Sequence, residues 1–242
     1  PWDRLRAIAA AAPGVCTQML IRGANAVGYT SYHDTVVSRF VELAARNGLD
    51  VFRIFDCFND VEQMRVTIDA VRAARKVAEV CICYTADCLS SAVYNLDYYR
   101  ELAAKCAAAG AHVIGIKDMA GLLKPAAATT LISALRNEFP NLPIHVHTHD
   151  TAGTGVASML ACSAAGADAV DCAVDSMSGM TSQPSMGSLV AALQNGERDT
   201  GVELQELSKL IEYWETVRFS YAAFESGQKS GSSEVYDHEM PG

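Results

Sequence analysis

Long apolar runs are missing from this chain. Half of its 242 residues are hydrophobic, yet no stretch approaches the roughly 20 consecutive apolar residues that a membrane-spanning helix requires. Basic clusters are missing as well. Lys and Arg number 19 against 28 Asp and Glu, for a net charge of −9. No positive patch exists to hold a phosphate backbone or an anionic lipid surface, so nucleic acid and membrane are excluded as partners. None of the eight cysteines forms a Cys-x-x-Cys pair, and most sit in apolar runs such as Val80-Cys81-Ile82-Cys83. They read as small buried residues of a reducing compartment rather than zinc clips or disulfides. No G-x-G-x-x-G occurs, which removes the open dinucleotide-binding sheet. No signal-peptide pattern opens the chain, and its start at Pro1 is expected of a trimmed sequence.

What is present is alternation. Short apolar runs cover 17–21, 51–55, 80–84, 112–116, 144–148 and 169–174, with starts roughly 30 residues apart, the length of one βα unit. Between them lie amphipathic stretches over 35–47, 61–75, 96–109, 125–138 and 155–165. Continuous apolar strands separated by helices predict an α/β protein with a parallel sheet. Polar residues close almost every strand: Arg22, Arg53 and Asp56, Thr85 and Asp87, Lys117 and Asp118, His147 to Asp150, and Asp175. A TIM barrel gathers such ends at one mouth, so the expected fold is a (β/α)8 barrel, incomplete, with about six units present. The two further strands are expected before Pro1. Residues 1–196 are expected to form the partial barrel core, and 197–242 to begin a helical extension carrying a long helix over 204–224.

The strongest chemical signal is Ile144-His145-Val146-His147-Thr148-His149-Asp150. Alternate residues of a strand share a face, so His147 and His149 can present imidazole nitrogens to one ion, while His145, one step deeper, reads as packing. Core hydrogen bonding by all three is the competing reading. Lys117 ends the preceding strand, where an uncompensated ammonium is costly. It must pair with a carboxylate such as Asp118, lose its proton, or be carbamylated into an anionic oxygen ligand. Arg22 and Arg53 each end a strand, and a guanidinium matches a small carboxylic acid in bidentate fashion. A salt bridge to Asp56 or Asp175 is the alternative, above all for Arg53.

These residues also carry a resemblance. Leu20-Ile21-Arg22-Gly23-Ala24-Asn25-Ala26-Val27-Gly28-Tyr29, Phe52-Arg53-Ile54-Phe55-Asp56, Ile116-Lys117-Asp118-Met119-Ala120-Gly121, His147-Thr148-His149-Asp150-Thr151 and Thr181-Ser182-Gln183-Pro184-Ser185-Met186-Gly187 follow one another in order. Near the end come Phe224-Glu225-Ser226-Gly227 and His238-Glu239-Met240-Pro241-Gly242. Together they resemble the carboxyltransferase domains of biotin-dependent pyruvate carboxylases. The resemblance implies carboxyl transfer from carboxybiotin to pyruvate, giving oxaloacetate, with biotin on a separate carrier domain and ATP driving the full enzyme. It implies a divalent metal, manganese or zinc, held by a carbamylated Lys117, by His147 and His149, and by an aspartate from a segment without counterpart here. It implies Arg22 as the pyruvate ligand and Tyr29 near the biotin pocket, and Arg53 is expected among the substrate-binding residues. A homo-oligomer, a tetramer in the full enzyme, is expected, in the cytoplasm if bacterial and the mitochondrial matrix if eukaryotic. His33 and Ala86 depart from the family's usual Pro and Gly. The threonine that shuttles a proton in the family also lacks a counterpart, so the chain alone is expected to be a poor catalyst. Related readings are an oxaloacetate decarboxylase or transcarboxylase subunit, a metal-dependent acyl-CoA lyase or synthase barrel, or a non-enzymatic assembly surface.

Overall fold

The computed structural model describes residues 1–225 and 231–238. The motif residues Ser226, Gly227 and 239–242 lie outside them. Six strands alternate with helices, and the strand order in the sheet follows the chain order. Every strand pairing whose register is described is parallel. That is the order in which a TIM barrel lays down its strands, and six βα units of the pattern are present among the described residues.

The chain divides into two compact units. One comprises Pro1–Cys83, Tyr99–Ile116 and Asn141–Pro143; the other comprises Tyr84–Tyr98, Lys117–Pro140 and Ile144 onward. The first holds α1 (Trp2–Ala11), β1 (Gln18–Ile21), α2 (Asp34–Arg46), β2 (Val51–Ile54), α3 (Val61–Ala73), β3 (Val77–Cys83), most of α4 (Leu96–Ala108) and the start of β4 (Val113–Asp118). The register runs Gln18↔Val51↔Val77 and Leu20↔Arg53↔Glu79. Helix α2 starts at His33, whose ring nitrogen accepts from the Thr35 amide. The histidine that departs from the family's proline therefore caps the helix. Its buried Val37, Val41 and Ala44 recur at the i, i+4, i+7 spacing of one helical face. Asp60 caps α3 by accepting from the Glu62 amide at 2.9 Å, satisfying a donor that a helix start leaves unpaired. Met64, Ile68 and Val71 of α3 are fully buried.

The second unit holds the end of β4, then α5 (Pro125–Glu138), β5 (Ile144–Thr148), α6 (Gly155–Ala164), β6 (Ala169–Val170), α7 (Met186–Leu193), α8 (Leu204–Ser220) and α9 (Glu234–His238). Pro125 occupies the first turn of α5, where its missing N–H costs nothing. Leu131, Ile132 and Leu135 of the same helix are fully buried. On β5 burial alternates, with Ile144, Val146 and Thr148 buried and the histidines between them half-buried.

Three boundaries differ from the sequence reading by three residues or more. Strand β3 starts at Val77 rather than residue 80, because Glu79 sits inside it, its charge met by Arg53 and its second oxygen accepting from Gln18. Strand β6 ends at Val170 rather than 174, because Ala173 instead bonds Pro184 and Met186 through its backbone. Helix α8 stops at Ser220, and a 3-10 turn covers Ala222–Phe224. Helices α1, α7 and α9 have no counterpart in the sequence reading.

The turn that leaves β4 is built on Asp118. Its carboxylate is fully buried and accepts from the amides of Leu122 (2.8 Å) and Leu123 (2.9 Å) and from the Thr148 hydroxyl (2.7 Å). Burial pushes this carboxyl above the usual range, and the three donors pull it back. Replacing Asp118 by alanine strands those donors, each worth about 1–3 kcal/mol when buried and unpaired. The expected result for Asp118→Ala is a loss of about 2–4 kcal/mol, read as a lowered urea midpoint at unchanged m-value.

Candidate active site

His147 lies near the C-terminal end of β5 and His149 one residue beyond it, two residues apart and on one face. Their Nε2 atoms face each other at 3.3 Å, with the rings nearly perpendicular and their centroids 5.0 Å apart. The opposite edge of each ring is tied. His147 Nδ1 lies 2.7 Å from Asp171 Oδ2, and His149 Nδ1 lies 2.6 Å from the carbonyl of Thr181.

Those ties fix the tautomers. A carbonyl oxygen only accepts, so His149 carries its proton on Nδ1. An ionised carboxylate also only accepts, so His147 does the same. In their neutral forms both rings therefore turn a lone pair toward the same point. Two lone pairs at 3.3 Å repel unless a proton or a cation lies between them. For His149, burial chiefly disfavours the charged ring, and the neighbouring His147 and Lys117 charges add to that effect. The Thr181 carbonyl opposes it, and the net shift is below the ordinary histidine range. A divalent cation between the two lone pairs would remove that repulsion. Nitrogen ligands stand about 2.1 Å from such an ion, and a 3.3 Å span matches two of them near a tetrahedral angle. No group of three or more His, Cys, Asp or Glu side chains is arranged to hold a metal among the described residues, so a third donor of that kind does not join the pair.

Lys117 is buried at the end of β4 and lies within the electrostatic reach of His149. Asp118, suggested by the sequence as its ion partner, turns its oxygens to two amides and Thr148 instead. Successive strand residues point to opposite faces, which explains the divergence. Gly121, at φ +75°, brings the loop against the His149 carbonyl, where a Cβ would stand 2.5 Å from that oxygen. Asp171, just beyond β6, accepts from both His145 Nε2 and His147 Nδ1, each at 2.7 Å. Asp175, read from sequence as the strand-end acid, accepts from the Gly187 amide at 2.6 Å.

Arg22, at the end of β1, stacks on two rings, with its guanidinium carbon 4.6 Å from the Tyr29 centroid and 5.6 Å from that of Phe55. Such stacking contributes about 0.5–1 kcal/mol at exposed sites and restrains the guanidinium group. Tyr29 is 85% exposed. Gly23 follows at φ +45°, and a Cβ there would lie 2.7 Å from the Gln63 carbonyl. Only glycine permits that close approach of the loop to α3. Arg53 is buried, and its Nε donates to Glu79 Oε1 at 2.6 Å. The partner is thus Glu79, directly across the β2–β3 register, and not Asp56. The Asp56 carboxylate instead accepts from the amides of Phe58 and Asp60.

Residues 56–213 match the profile of the HMGL-like family. The chain belongs to the HMGL-like family. Within it, the chain is similar over its whole length to Pyruvate carboxylase 1 of Caenorhabditis elegans, at 53% identity, and to the mitochondrial pyruvate carboxylase of Rattus norvegicus, at 54%. It spans about a fifth of the length of these relatives, 21% of each. Among solved structures it is similar to the carboxyl transferase domain of Rhizobium etli pyruvate carboxylase with pyruvate and biocytin. That match has a TM-score of 0.97 and 55% identity, covering 100% of this chain and 41% of the other. The same values hold for that domain with 3-hydroxypyruvate.

In this HMGL-like chain the second unit carries Lys117, His147 and His149, and the first carries Arg22, Tyr29 and Arg53. Sequence reasoning did not single out Asp171, Glu79 or the Thr181 carbonyl. Asp171 had a signal, since it is an acid closing the apolar pair Ala169-Val170. The Thr181 carbonyl had none, because any residue supplies one.

The geometry predicts that a divalent cation stabilises the protein. At a free ion concentration 100 times Kd the gain is about 2.7 kcal/mol. Thermal melts with and without Mn²⁺ or Zn²⁺ should show an upward shift in the wild type and none in His149→Ala.

Proposed function

We propose that this chain is the carboxyltransferase part of a biotin-dependent pyruvate carboxylase, moving a carboxyl group from carboxybiotin to pyruvate to form oxaloacetate. The observation that carries the reading is its whole-length similarity, at 55% identity, to a carboxyl transferase domain solved with pyruvate and biocytin. In the reading, residues 1–196 are the catalytic core, 197–242 open a helical extension, and the full assembly is a homo-oligomer served by a biotinylated carrier domain.

Each residue then has a chemical task. Arg22, held flat by Tyr29 and Phe55, grips the pyruvate carboxylate through paired N–H bonds. Arg53, oriented by Glu79, is a further cation toward substrate. Tyr29 offers its exposed ring to the biotin heterocycle. Lys117, carbamylated to an anionic oxygen donor, joins His147 and His149 in holding a Mn²⁺ or Zn²⁺ ion. Carbamylation also removes the cost of a buried ammonium beside two imidazoles. Such an ion supplies positive charge for the keto oxygen as the pyruvate methyl group loses its proton, a contribution on the order of several kcal/mol.

Two variants test the assignment. Charge-assisted hydrogen bonds contribute about 1.5–3 kcal/mol, so Arg22→Ala should weaken pyruvate binding about 10- to 100-fold by titration calorimetry. In the full-length enzyme, assayed in the half-reaction from oxaloacetate with biocytin as acceptor, Lys117→Ala should lose turnover. Unchanged turnover in Lys117→Ala would instead favour a scaffold role.

A further inference from the structure

His145 has no place in the proposed ligand set, yet it is not simply packed. Its Nε2 lies 2.7 Å from Asp171 Oδ1, while the other oxygen of the same carboxylate lies 2.7 Å from His147 Nδ1. One carboxylate therefore bridges two imidazoles of one strand. Residues i and i+2 share a face, and the register places His145 against Ala169, with Val146 against Val170. The Asp171 amide donates to the Val146 carbonyl at 2.9 Å. The backbone thus delivers Asp171 beside both rings. A His145 N–H on one oxygen helps turn the other toward His147.

We propose that His145 is a positioning residue: by anchoring Asp171 it holds His147 as the Nδ1–H tautomer with its Nε2 lone pair aimed at the ion site. The inference rests on His147 and His149 serving as metal ligands. A carboxylate behind a metal-bound imidazole typically contributes 10- to 100-fold in metal affinity, and His145 controls how much of that reaches the ion.

The roles of the three residues separate in a double-mutant cycle on the whole chain, read by Mn²⁺ and Zn²⁺ affinity in chelator competition. His145→Leu keeps the bulk and loses the donor, and should weaken binding about 10-fold. His145→Gln restores an N–H donor and should recover most of that loss. Asp171→Asn should weaken binding at least as much as His145→Leu, and adding His145→Leu to it should change affinity less than 2-fold, since nothing remains to anchor. An equal loss from His145→Leu in both backgrounds, or no rescue by glutamine, would assign His145 to packing and overturn the proposal. So would wild-type affinity in His145→Leu. If the leucine variant fails to fold, ¹⁵N NMR of the metal-free wild type decides. His145 protonated on Nε2 and His147 on Nδ1 is the expected result, and either ring in the other tautomer overturns it. A wild-type chain that binds neither ion would instead sink the metal site itself, an outcome distinct from all of these.

Discussion

Two imidazole nitrogens turned toward each other at 3.3 Å set the terms for the rest of the site. The approach is unfavourable for neutral rings whose far nitrogens both hold protons, and those protons are fixed by acceptors that cannot donate. Nearby features serve that arrangement. Asp171 closes one side, the Thr181 carbonyl the other, and Gly121 lets the loop after β4 lie against the His149 backbone. Burial shifts the His149 ring toward its neutral form, which suits the proposed cation site.

The fold explains why these parts meet. A strand carrying His145 and His147, continued by His149 just past its end, puts three rings on one face, and the alternation sends Ile144, Val146 and Thr148 to the other, where they are buried. Asp118 shows the same logic one strand earlier. Its neighbour Lys117 lies within electrostatic reach of His149, while Asp118 itself is spent on the loop amides and Thr148. Adjacent residues of one motif thus divide between structure and site by strand parity alone. In the first unit the carboxylate of Glu79 plays the structural part, taking Arg53 and Gln18 at 2.6 Å each.

Much of this was legible in the sequence, for definable reasons. Strand β5 and helix α5 were read to the residue, because an uninterrupted apolar-and-histidine run and a Pro125 start leave little choice. The choice of His147 and His149 followed from period-two geometry, and the His-x-His spacing carried it. What stayed hidden was non-local. Glu79 interrupts an apolar run and looks like a strand boundary until Arg53 appears across the register from it. Asp171 lies 24 residues from His147, and the strand it closes is only two residues long. Helix α1 buries none of its side chains, so its amphipathic signal is weak. The alternative Lys117–Asp118 and Arg53–Asp56 ion pairs do not form, because proximity in sequence does not survive the alternation of a strand.

The central claim is that the space between the two imidazoles belongs to a cation. Crystals of the chain grown with Mn²⁺ and measured above and below the manganese absorption edge test it most directly. The account predicts a single strong anomalous peak between the Nε2 atoms of His147 and His149, with Lys117 density extended beyond Nζ by a carboxyl group. A featureless map at that point, with a proton-bridged pair of rings at neutral pH, would contradict it.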